Sequence, residues 1–188
     1  MAVIVDSYSE SNHNGASNIY SSQSFCGQSF TGNGTALTSA KFYLRKISGS
    51  PTGSCYSKIY SHTGTYGTSS EPNVLLATSN AVDVSTLSPS SYELKEFTFS
   101  GEEQIVLEDG SYYVLVFSYS GGDVGNYIAC GLDGVSSSHS GNAGQWFSSS
   151  SSYFLLGDYD LIFYVYGEEI VITPIIGAKY PLPPFKRS

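Results

Sequence analysis

Three histidines, His13, His62 and His139, are the residues of this chain best suited to move a proton or hold a metal. None stands in a His-x-x-x-His or His-Glu-x-x-His spacing, which places two imidazoles around one zinc ion, so metal-dependent hydrolysis has no support. Serine is abundant, but the Gly-x-Ser-x-Gly turn that exposes a nucleophile is absent, as is the Gly-x-x-x-x-Gly-Lys loop that cradles phosphate. Acids occur in pairs at Glu102-Glu103, Glu108-Asp109 and Asp158 with Asp160. Cleaving a glycosidic bond needs two carboxylates facing each other across a cleft. Neighbours in one turn do not face each other, so these acids read as solvated turn residues that discourage edge-to-edge strand pairing. The three cysteines, Cys26, Cys55 and Cys130, are too few for a structural zinc and include no Cys-x-x-Cys. Cys55 and Cys130 lie in strand-like runs and read as small buried hydrophobes. Spacing does not fix whether two of the three pair as a disulfide. The one tryptophan, Trp146, stands beside Phe147 and near Tyr153 in a serine-rich stretch. Such aromatics either stack on sugar rings or cap the end of a core. The expectation is a chain without catalysis and without a cofactor.

Charge narrows the partners. The chain of 188 residues has a formal net charge of -8, and no Lys or Arg stands between Lys95 and Lys179 while acids recur throughout that interval. Phosphate neutralisation needs clustered basic side chains, so nucleic acid is not expected as a partner. Anionic membrane surfaces are disfavoured for the same reason. No apolar run approaches the roughly 20 residues that span a bilayer. The start, Met1 to Asp6, lacks the basic region and long apolar run of a secretory signal, so synthesis in a cytoplasm is expected.

The elements that must position these residues are strands. Ala40–Ser48, Ser54–His62, Tyr92–Ser100, Ser111–Tyr119 and Tyr159–Tyr166 are rich in β-branched and aromatic residues and are bounded by Gly, Ser, Pro or Asp. Aromatics make up 14% of the chain, enough to fill a two-sheet core without metal or disulfide. The fold expected is all-β: an antiparallel jelly-roll β-sandwich with an extended C-terminal arm. Alternation along the strands predicts Phe42, Leu44, Ile59, Phe97, Phe99, Leu115, Phe117, Ile162 and Tyr164 in the core. Tyr112–Phe117, apolar on both faces, reads as central in its sheet. Residues 1–22 read as a short strand and polar leader, 23–167 as the sandwich, and 168–188 as a proline-rich basic arm. In the arm, Ile170, Val171 and Ile172 could add a strand to a neighbour. Tyr180, Leu182 and Phe185 offer apolar anchors, and Lys179, Lys186 and Arg187 set positive charge beside an acidic body.

Several stretches together resemble a recurrent jelly-roll module. They are Gly27–Gly34, Ser39–Lys46, Ser50–Gly53, Ile59-Tyr60, Leu76–Ser79, Val82–Leu87, Phe97–Phe99, Gly110–Val114, Ser140–Asn142 and Asp160–Tyr166. Modules of this kind occur in structural proteins of tailed bacteriophages and in surface proteins of uncultivated bacteria, and are similar in architecture to carbohydrate-binding modules. The resemblance implies a non-enzymatic virion protein, a capsid decoration or tail component located on the particle and joined to other virion proteins or to copies of itself. The alternative it implies is a glycan-binding adhesion module on a phage fibre or a bacterial cell surface. Jelly-roll glycan binders often hold a structural calcium through loop carboxylates. Asp123, Asp133 and Asp158 are loop candidates here, with no Asp-x-Asp-x-Asp-Gly motif to designate ligands.

Overall fold

A computed structural model describes residues 1–147 and 152–170, with the side chains of Trp146, Phe147 and Ser152 outside the description. Val171, Ile172, Lys179, Tyr180, Leu182, Phe185, Lys186 and Arg187 of the expected arm also lie outside the described residues. The strands are β1 (Ala2–Tyr8), β2 (Gly15–Ile19), β3 (Phe25–Thr31), β4 (Thr35–Ser48), β5 (Ser54–Thr63), β6 (Glu71–Thr78), β7 (Val82–Asp83) and β8 (Glu93–Thr98). There follow β9 (Val106–Leu107), β10 (Tyr112–Ser118), β11 (Tyr127–Asp133), β12 (Ala143–Phe147), β13 (Ser152–Leu155), β14 (Asp160–Leu161) and β15 (Phe163–Glu168). The only helices among the described residues are three single 3-10 turns, so no helix there is long and apolar enough to cross a membrane.

The strands form two antiparallel sheets with a shared apolar interior. In the first, β4 is the spine. Its residues from Ala36 to Phe42 pair with β15, and Leu44 to Ser48 pair with β11. Phe42 pairs with both Phe163 and Lys95, which puts β8 on the opposite flank from β15. A bulge near Thr38 shifts the alternation of β4, so that Leu37 on one side of it and Phe42 and Leu44 on the other all point inward. Residues 1–22 contribute two strands to this sheet, β1 along β15 and β2 along β11. The second sheet runs β13-β12-β3-β10-β5-β6, with β10 between β3 and β5.

The core is aromatic at its centre. Phe42 and Phe97 of the first sheet meet Phe117 of the second in mutual edge-to-face contacts, with ring centroids 5.5 to 6.0 Å apart. Eight of the nine expected core residues are buried, and Tyr164 is not. Between β14 and β15 the chain leaves regular pairing at Ile162, whose N–H donates to the Gly131 carbonyl instead. Alternation therefore slips by one residue: Ile162 and Phe163 are both buried, and Tyr164 turns outward to donate its hydroxyl to Glu10.

Candidate functional site

The titratable residues converge where the chain crosses from β11 of the first sheet to β12 of the second. Asp133 ends β11 and is 1% exposed. Its Oδ2 accepts from the Tyr8 hydroxyl at 2.8 Å. Its Oδ1 accepts from Asn14 Nδ2 at 2.5 Å and from the N–H groups of Val135 and Ser136 at 3.0 and 3.2 Å. The last two close a side-chain turn, the usual role of Asp at the start of a loop. Across the ladder, Asp160 is the register partner of Asp133 and is 2% exposed. Its carboxylate accepts from Gln28 Nε2 and from the N–H of His139, both at 2.9 Å. Gln28 in turn accepts the Leu161 N–H at 2.9 Å, which ties β3 to β14 across the sheets.

His139 completes the network. Its Nδ1 accepts the Gly141 N–H at 3.0 Å, so the proton of the neutral ring sits on Nε2 and is donated to Asp6 Oδ1 at 3.1 Å. Gln28 Nε2 stands 3.2 Å from the same Nδ1. Asp6 also accepts the N–H groups of Ser7 and Thr31. Both imidazole nitrogens are thus engaged, and no hydroxyl stands on either. A general base needs a lone pair facing the proton it takes, and this ring offers none. The arrangement is a polar strut that fastens the crossover loop to both sheets. Asp160, expected from sequence as a solvated turn acid, is instead a buried member of it, because β14 carries it under the loop.

The charges respond accordingly. The Val135 N–H leads a set of donors that outweigh burial and hold the Asp133 carboxyl down at about 2. For Asp6, burial opposes the charge, but His139 and the two backbone donors prevail and its pKa is lowered. Asp160 moves the other way, raised by burial with a contribution from Asp133. A carboxyl depressed in the folded state stabilises it above the unfolded value of about 3.9 and loses that effect as pH falls toward the folded value. Asp160 has the opposite sign and acts around and above its ordinary value. The urea midpoint is therefore expected to fall steeply between pH 4 and pH 2, and Asp133→Asn to flatten that fall. Parallel pH profiles for the two chains would contradict this.

The remaining candidates sit elsewhere. His13 packs against the rings of Tyr43 and Tyr92, and His62 bonds to the Ser70 hydroxyl at 2.9 Å. Glu103 caps the Thr78 N–H, and Asp123 is occupied by Gly125 and Asn126. Among the described residues no three His, Cys, Asp or Glu side chains are grouped to hold a metal ion. Trp146 lies on β12 in register with Phe25 and Tyr153. The Tyr153 ring covers Gly144, where an added Cβ would lie 2.1 Å from it, and its buried hydroxyl has no hydrogen-bond partner among the described residues. Nearby, between β2 and the β12–β13 hairpin, is a hollow of about 270 Å³ lined by Ser17, Asn18, Gln23, Gln145 and Tyr159 with Leu132 and Leu156. The Ser17 hydroxyl, buried there, has no hydrogen-bond partner among the described residues.

One surface feature was not legible from sequence. β6 is the outer strand of its sheet, and Val74, Leu75 and Leu76 are 57%, 48% and 38% exposed. The pairing with β5 shifts register on either side of Leu75, and the local break in alternation leaves all three apolar side chains exposed in succession. Ile170, just past β15, is also exposed. Comparisons with protein-family models, with curated proteins and with solved structures gave no match.

Proposed function

We propose that this chain is a non-enzymatic structural protein of a tailed bacteriophage particle, a jelly-roll capsid decoration or tail component held through residues 168–188. The observation that carries the reading is the exposed apolar run Val74–Leu76 on β6, the outer strand of its sheet among the described residues. Soluble proteins blunt such edges because they invite pairing with another chain. β6 carries Pro72 and the Glu103 cap on Thr78 at its ends and two register shifts along its pairing with β5, yet its apolar side chains Val74, Leu75 and Leu76 remain exposed. A neighbouring subunit would cover them. The engagement of His139 on both nitrogens supports a role without catalysis. Leu75→Glu is expected to leave stability within about 0.5 kcal/mol, as for an exposed position, yet to abolish incorporation into particles. Ending the chain after Ile170, which keeps every described strand, is expected to do the same. Wild-type incorporation of both variants would refute the reading.

A second reading, a glycan-binding module, is favoured by the hollow beside Ser17. Its lining is uncharged, amides and hydroxyls beside Leu132 and Leu156 with a half-exposed Tyr159, a lining suited to a neutral sugar. Titration of neutral oligosaccharides, with Tyr159→Ala as control, tests it: binding lost in the variant supports it, and no binding to the wild type refutes it.

A further inference from the structure

Two of the three cysteines meet across the sandwich. β3 belongs to the second sheet and β11 to the first. Cys26 and Phe30 point into the shared core from β3, with Gln28 between them on the same face, and Ile128, Cys130 and Leu132 point into it from β11. Gln28 reaches across to the Leu161 N–H, and Leu161 is the register partner of Leu132. One pleat further along each strand, from Gln28 to Cys26 and from Leu132 to Cys130, the two thiols face each other as neighbours. Gln145, the register partner of Cys26, donates across the sheets to the carbonyl of Asn18, next to Ser17, the register partner of Cys130. Both residues are completely buried. Cys55 is placed differently, on β5, with its thiol donated to the Val82 carbonyl.

We propose that Cys26 and Cys130 form an inter-sheet disulfide when the chain folds in the presence of a disulfide oxidant. One cysteine thiolate attacks a sulfur of the oxidant, such as oxidised glutathione, forming a mixed disulfide and releasing one glutathione thiol. The second cysteine thiolate then displaces the other glutathione and closes the protein disulfide. The two protein thiols lose two electrons and two protons, and the oxidant is reduced to two thiols. Closure joins the facing sulfurs in a bond of about 2.05 Å. Burial pushes the Cys26 thiol well up, so thiolate is scarce in the folded state and the bond forms during folding.

The test refolds the full chain from denaturant with oxidised and reduced glutathione, blocks free thiols while denatured, and maps tryptic peptides. The lysines and arginines separate the three cysteines, with Cys26 on residues 1–41, Cys55 on 47–58 and Cys130 on 96–179. The expected product links 1–41 to 96–179, two hydrogens lighter than the sum, with Cys55 blocked. Three blocked thiols, or a link through Cys55, would overturn the proposal. The linked chain should unfold with an equilibrium constant about 10²–10³-fold smaller than the reduced chain. That sensitivity to reductant should vanish in Cys26→Ala and persist in Cys55→Ala, and the reverse pattern would overturn the proposal.

Discussion

Phe117→Ala is expected to destabilise the fold by about 3–5 kcal/mol, the range for removing a large aromatic from a packed core. Phe117 is fully buried and is the second sheet's contribution to the three-ring cluster with Phe42 and Phe97. Truncation removes both ring contacts at once and leaves a void where the sheets meet. For a chain of this size each kcal/mol lowers Tm by roughly 2–4 °C, so calorimetry should show a fall on the order of 10 °C. Phe117→Leu, which keeps most of the volume, should cost less than half as much. A loss below about 1 kcal/mol for the alanine variant, where buried aromatics ordinarily cost several, would mean that the sheets do not pack as described.

Asp133→Ala is expected to cost about 3 kcal/mol, because an unmade hydrogen bond to a buried group costs about 1–3 kcal/mol and four donors lose their acceptor together. These are the Tyr8 hydroxyl, Asn14 Nδ2 and the N–H groups of Val135 and Ser136. The cost stays below the simple sum because water can reach the part-buried donors. Tyr8→Phe removes one donor and should cost about 1 kcal/mol. In the double variant the two effects should not add, since the Tyr8 contact is already lost without Asp133. Urea unfolding of the four chains measures this coupling, and strict additivity would show that the contact contributes nothing.

The sheets were legible in the sequence because their strands alternate against a core that is almost wholly apolar. Phe42, Leu44, Phe97, Leu115 and Phe117 are buried as their spacing implies. Tyr164 was misplaced because one irregular residue, Ile162, reverses every following side chain, and no residue type announces that break. β2, Gly15–Ile19, was hidden because its two inward residues are a serine and a single apolar residue, Ser17 and Ile19, set among Gly15, Ala16 and Asn18. The polar strut was illegible for another reason. Asp6, Gln28, Asp133, His139 and Asp160 come from five separate segments, and only the fold brings them together. One trace was present: Gln28 stands at an inward position between Cys26 and Phe30, where an amide must find partners inside the protein. The open edge at Val74–Leu76 could not be read either, because the same three residues would be core in a strand flanked on both sides.

Placement on a particle tests the central claim most directly. Particles purified by density gradient from cells that produce the chain would be imaged by electron cryomicroscopy. The expected result is two-sheet density at symmetry-related positions, with the β6 edge covered by a neighbouring subunit. Particles that lack the chain, with all of it recovered in the particle-free fraction, would contradict it.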